Sequence, residues 1–229
     1  DVNLVGANLS GANLSNANLA DANLTGTNLS GVSLSGASLA RADLSGASLA
    51  GVNLSSTALS KANLAGANLA GANLSGVSLL GASLARADLS DAYLTSANLS
   101  CISLSGASLA RANLSDADLV DADLSNADLS NTNLRDADLA GTGLLNANLS
   151  DANLARVNLS NANLSDANLA RANLSGASLA RATLARTNLT GANITGANLV
   201  GTNLAGANMA GANLAGAKVG FGSDQACLV

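Results

Sequence analysis

The stretch that decides the fold runs from Ala62 to Gly76 and reads ANLAG ANLAG ANLSG. Every fifth residue is Leu, and a small residue stands two places before each Leu. The register starts at Leu4 and runs without insertion or deletion to Leu214, with Val219 as a last weak member. Of its 43 central positions only Ile194 and Met209 are not Leu. A helix cannot use such a period: five residues at about 100° each advance successive Leu by about 140°, so no apolar stripe forms. A straight strand fails too, because an odd period sends alternate Leu to opposite faces.

One geometry remains. Three residues run extended, with the small residue and Leu inward and Asn, Asp or Ser outward between them, and the next two residues turn a corner that restores the register. The corner pairs are rich in Ser, Ala and Gly, and the 23 Gly of the chain suit corners that need positive φ. Coils of such units stack through backbone hydrogen bonds, and a short fixed period of this kind marks a β-solenoid.

The units ADLSG (42–46), ANLSN (12–16), ADLSD (87–91) and ANLAR (152–156) resemble the pentapeptide-repeat family, whose consensus is A-(D/N)-L-x-x. The likeness covers residues 1–219. It implies an all-β, right-handed quadrilateral β-helix with four pentapeptides per 20-residue coil, about eleven coils in all. At about 4.8 Å per coil the rod would be about 50 Å long. Residues 1–219 are then one β-helical domain and 220–229 a C-terminal tail or cap. The resemblance also implies a non-enzymatic structural or protein-interaction role. The best-understood members of the family imply an alternative, a DNA-mimicking inhibitor of DNA gyrase of the quinolone-resistance type.

Composition narrows the classes further. The 229 residues carry a net charge of −5 and no Glu, so the basic footprint of a nucleic-acid binder is missing. No apolar run approaches the ~18 residues of a membrane span. The absence of an initial Met leads us to expect that natural sequence precedes Asp1. Two Cys, Cys101 and Cys227, make no disulfide framework. Without His or Glu the usual general bases are missing, no Ser has an activating partner, and neither catalysis nor a cofactor is expected.

The inward small position enlarges to Val32, Val52, Val77, Ile102 and Val157, and becomes Thr at 27, 57, 132, 142, 187 and 202. These changes read as packing adjustments. The distinctive surface stretch is acidic, with Asp116, Asp118, Asp121, Asp123, Asp128, Asp136 and Asp138 as a candidate interaction patch. A 20-residue coil places Asp136 over Asp116 and Asp138 over Asp118, where like charges repel unless screened. Arg135 and Arg156 offset part of that charge. The patch lacks the Gly-rich loop of calcium-binding β-roll repeats, so no metal is expected.

A second column, Asp91, Arg111, Asn131, Asp151 and Arg171, alternates in sign. The recurring SGASLARA block does not return its arginines to one face, which argues against a dedicated binding face. An ice-binding face is disfavoured because charged residues interrupt every outward ladder.

Fourteen Asn-Leu-Ser, Asn-Leu-Thr or Asn-Ile-Thr sites lie between Asn8 and Asn193. Glycans on coils about 5 Å apart would crowd, so a eukaryotic secretory route is not expected. A bacterial-type cytoplasm or a thylakoid lumen is expected instead. Phe221 stands as a candidate C-terminal cap or dimer contact. The expected partner is another protein, with the chain a monomer or an end-to-end homodimer through a terminal coil.

Overall fold

The computed structural model describes residues 2–220. Each pentapeptide closes a tight turn in which the N–H three residues after the central Leu donates to that Leu's carbonyl, as Ala67 does to Leu64 at 3.0 Å. The second corner residue lies in the left-handed region, at φ 64° for Gly66 and 60° for Asp121, while the first does not. Positive φ at the third residue alone is the pattern of a type II turn. Glycine takes it without strain. Twenty-two other residues, among them Arg41, Asp91, Cys101 and Asn131, take it as well.

Parallel bridges join each outward residue to the one twenty positions later: Asn113 to Asn133, Asn133 to Asn153 and Asn153 to Asn173. A turn every five residues and a bridge every twenty give four turned sides per coil. The expected three-residue extended segments reduce to a single bridged residue per side. Two residues in five are committed to the turn, and only the outward residue and its flanking amides face the next coil.

Most sides use the same three bonds to the coil that follows. Leu104 and Gly106 donate to the carbonyls of Asp123 and Ser125, at 2.7 and 2.9 Å, and Asp123 donates back to Ile102 at 2.9 Å. The core is the column of Leu and Ala enclosed by these coils. Leu114, like nearly every Leu from Leu24 to Leu184, is fully buried. Inward Thr fits because its hydroxyl has a carbonyl at hand: Thr132 donates to Leu129 at 2.6 Å, and Thr187 reaches Leu164 in the previous coil at 2.8 Å. No buried side-chain N or O among the described residues lacks a partner.

The ladder falters at one corner. Ser56 is the one second-corner residue from 6 to 216 outside the left-handed region. The neighbouring bridges Ser33–Asn53 and Ala58–Ser78 do not form, although the turn still closes through Thr57 N–H to Leu54 at 2.9 Å. At the two ends the core opens. Leu4, Leu9 and Leu14 are half-buried, and exposure rises to 37% at Leu214 and 71% at Val219. No helix among the described residues is long and apolar enough to cross a membrane.

Candidate functional site: the ordered outer surface

Two outward positions per pentapeptide carry the chemistry of the shaft. The first is the bridged residue before Leu. Its Oδ1 accepts the backbone N–H two residues on, as Asn13 does from Ser15 and Asp123 from Ser125, both at 3.0 Å. This is an Asx turn, and it pins the side chain against the corner. The same oxygen takes a second bond from the coil that follows. Nδ2 of Asn133 donates to Asn113 at 3.0 Å, Asn153 to Asn133 at 3.2 Å, Asn173 to Asn153 at 3.3 Å and Asn193 to Asn173 at 3.2 Å.

The ladder has a direction, because each amide donates toward the N-terminus. Asn both donates and accepts and so propagates it, whereas a carboxylate accepts only. Asp43, Asp128 and Asp138 accordingly stand at ladder starts, under Asn63, Asn148 and Asn158 at 3.1, 3.0 and 2.9 Å.

The second position is the left-handed corner residue, which carries every Arg among the described residues except Arg135. Arg41, Arg111, Arg156, Arg171 and Arg186 each reach back one coil to an Asp twenty residues earlier. Arg41 Nε and Nη2 bind Asp21 Oδ1 and Oδ2 at 2.7 and 2.6 Å, and Arg171 binds Asp151 at the same distances. Arg111–Asp91, Arg156–Asp136 and Arg186–Asp166 repeat this fork.

The guanidinium holds each of Asp21, Asp91, Asp136, Asp151 and Asp166 below the ordinary carboxylate range, chiefly through these hydrogen bonds. One coil after five of the seven corner arginines stands a Gly. A Cβ at Gly201 would lie 3.4 Å from Arg181 Cγ, and one at Gly141 would run into Asp121 Oδ1.

The seven candidate aspartates divide on this frame. Asp116, Asp118, Asp121, Asp123 and Asp128 fall within one coil, on three of its four sides, and form a band around the shaft rather than a single face. Asp136 belongs to the next coil and is neutralised: Arg156 grips it and Arg135 Nε adds a contact at 3.2 Å. The expected repulsion in the Asp116–Asp136 column is thereby relieved. Asp118 and Asp138 do stack as a bridged pair, each accepting a backbone N–H at 3.0 Å.

Among the described residues no three Cys or Asp side chains converge as metal ligands. Cys101 is an exposed corner residue. Phe221 lies outside the described residues. The Asn ladders and the Gly placed one coil beyond most corner arginines went unread in the sequence. The recurrence of Asn and of Arg-to-Gly at intervals of twenty carries that signal.

A left-handed corner every five residues, a bridge every twenty and a Leu-filled interior define a right-handed β-helix of pentapeptides with a hydrogen-bonded polar surface. The chain belongs to the pentapeptide repeat family, whose sequence profile, described as "Pentapeptide repeats", matches in overlapping copies from residue 1 to 219. HetL, a pentapeptide repeat protein involved in heterocyst differentiation regulation from the cyanobacterium Nostoc sp. strain PCC 7120, is 32% identical. That match covers 95% of this chain and 90% of HetL, with a TM-score of 0.42.

Trypsin-treated QnrB1, a plasmid-mediated fluoroquinolone resistance protein, is 19% identical over 80% of this chain and 91% of its own, with a TM-score of 0.59. It shares the fold. A pentapeptide repeat protein from the Arabidopsis thaliana thylakoid lumen is 34% identical over 44% of this chain and 64% of its own, with a TM-score of 0.24. No curated protein sequence matches the chain.

Proposed function

We propose that the protein is a non-enzymatic interaction module: a rigid four-sided rod of about eleven coils that displays side chains at fixed spacing and engages a protein partner through its acidic band. The observation that carries this reading is the band itself. Among the described residues five of the other eight aspartates are paired one coil on with Arg, while Asp116, Asp118, Asp121, Asp123 and Asp128 have no arginine twenty residues later. A band of carboxylates without Arg forks, on three sides of a stiff scaffold, suits a basic protein surface. A bacterial-type cytoplasm or thylakoid lumen fits this reading. Several formal glycosylation sites, such as Asn173 and Asn193, already commit Nδ2 to the ladder.

The test compares the protein with a variant carrying Asp118→Asn, Asp121→Asn, Asp123→Asn and Asp128→Asn, since Asn fills the same positions in other coils. A partner retained from a lysate of the source cells at low salt should be released as salt rises and should not bind the variant. Equal retention by both would contradict the reading. Gyrase mimicry is the second reading, favoured by the same band because it wraps three sides of the rod. The five Arg forks break the negative surface that DNA mimicry needs, and we expect no inhibition in a gyrase supercoiling assay.

A further inference from the structure

The enlarged inward residues do not disturb the rod equally. Only two pairs of them stand directly over one another, twenty residues apart: Val32 with Val52, and Thr57 with Val77. Elsewhere an enlarged residue meets only Ala or Gly at that spacing, as Val157 meets Ala137 and Ala177. The bridges beside single enlargements form: Asp138–Asn158 and Asn158–Ser178 flank Val157, and Ser83–Ser103 and Ser103–Asp123 flank Ile102. The two bridges that fail, Ser33–Asn53 and Ala58–Ser78, each come one residue after a stacked pair, and no other is missing from Asn3 to Lys218. A column sized for Ala cannot take two branched side chains in succession without moving the backbone apart.

The Ser56 corner does not by itself account for these gaps, because the residues on either side of it each lose one bridge and keep the other. Asn53 stays joined to Asn73, and Leu54 N–H donates across that joint at 2.8 Å. Toward the coil before, the N–H groups of Leu34 and Asn53 make no backbone bond among the described residues. Ala58 shows the reverse. It accepts from Leu39 N–H at 2.8 Å in the coil before, while Leu59 and Ser78 N–H make no backbone bond across the joint that follows. The coil is thus displaced away from the oversized neighbour on both sides of the corner, in opposite directions. Val32 and Thr57 keep 5% and 7% of their surface, against 1% at Val157 and Thr132, so both gaps open toward solvent.

Each joint of this coil is held on three sides and open on the fourth. Ser38–Ala58, Asp43–Asn63 and Ser48–Asn68 hold one joint, and Asn53–Asn73, Asn63–Ser83 and Asn68–Asp88 hold the other. A joint open on one side can rock about the side opposite. We propose that the coil from Asn53 to Ala72 is a hinge, at which the N-terminal coils rock against the shaft that begins after Ser78. The hinge lies apart from the acidic band. Every bridge from Ser83–Ser103 to Asn198–Lys218 forms, so the stretch bearing Asp116 to Asp128 stays stiff and the inference does not rest on the binding reading.

Spin-label distance distributions test the motion. With Cys101 and Cys227 replaced by Ser, labels at Asn13→Cys and Asn113→Cys span the hinge, and labels at Tyr93→Cys and Asn193→Cys span an equal length of regular shaft. The pair across the hinge should give the broader distribution. Val52→Ala with Val77→Ala leaves one enlarged residue in each column and should narrow that distribution to the width of the shaft pair. The fold tolerates these changes, because Ala fills the same position in most repeats. Val157→Ala removes the same atoms from an unstacked site and should leave both widths unchanged.

Amide hydrogen exchange tests the gaps themselves. Leu34, Asn53, Leu59 and Ser78 should exchange about tenfold faster than the bonded amides of Leu134, Asn153, Leu159 and Ser178, which hold the same places five coils on. The double Val→Ala variant should bring the two sets together. Equal widths for the two labelled pairs in the chain that keeps Val52 and Val77 overturn the hinge, as do gap amides that exchange no faster than their counterparts. A broad distribution that survives the double variant, or that Val157→Ala narrows equally, overturns the assignment to the stacked pairs.

Discussion

The second corner residue is the position where residue choice and backbone geometry meet most sharply. It is left-handed at almost every repeat, which costs an L-residue about 1–2 kcal/mol relative to glycine. Twelve of the twenty-two non-glycine residues there make a side-chain hydrogen bond in return, whereas among the described residues Lys61, Arg86, Cys101 and Arg181 make none. Arg111 and Arg171 hold an Asp one coil back, and Asn146 Nδ2 reaches Asn126 Oδ1 at 3.3 Å. Where glycine does stand one coil after a charge, it has a second reason, since the neighbour's side chain lies beside its α-carbon. The two reasons separate by mutation. Gly71→Ala meets nothing within 4 Å, so it should cost only the left-handed strain, about 1 kcal/mol in denaturant unfolding. Gly141→Ala carries the same strain and also strikes Asp121 Oδ1, so it should cost measurably more. Equal costs would remove Asp121 from the explanation.

The coil joins its neighbours through backbone bonds that any sequence can make, so the side-chain ladders decide where it is strong and where it is weak. The Asn column from Asn113 to Asn193 is unbroken, whereas the coil containing Ser56 and Ala58 loses two bridges. Ala58 has no Oδ1 to offer the N–H of Ser60, and the corner just before it, at Ser56, is the one that leaves the left-handed region. Ala58→Asn combined with Ser56→Gly should restore the corner and raise stability by about 1 kcal/mol, the worth of one added hydrogen bond. An unchanged or lower thermal midpoint would show that the irregular corner has another cause.

At this scale the sequence is unusually legible, because a five-residue Leu period has one structural solution. The inward assignment of Leu and Ala follows from spacing alone, whereas the stacking at twenty, and with it the placing of Asp118 beside Asp138, follows from the resemblance to pentapeptide repeats. Strand length does not, because it depends on how much of the repeat the turn consumes. Nor does the neutralisation of Asp136, which needs the direction in which Arg156 leans. The division of the acidic stretch into a band and a neutralised residue rests on the same information.

Across the whole molecule, stability is a sum over similar coils and the interfaces between them, and the surface charges modulate it weakly. The forked aspartates titrate below the ordinary value of 3.8 when folded. A depressed folded value contributes stability that is present above the unfolded pKa, about 3.9, and is lost as pH falls through the folded values. The thermal midpoint should therefore be level from neutral pH to about 5 and fall below about 4. Because these pairs are exposed, the fall should be modest, and Asp136→Asn should reduce it further. A midpoint that rises on acidification would contradict the forks.

The central claim is that four pentapeptides make one coil, and a distance ladder tests it most directly. With Cys227 replaced by Ser, spin labels go at Cys101 and at Asn161→Cys, Arg181→Cys or Gly201→Cys, which share its column. Electron-spin distances should grow evenly by about 4.8 Å for each added 20 residues. Separations that rise unevenly, or that fail to rise along this column, would contradict the twenty-residue coil.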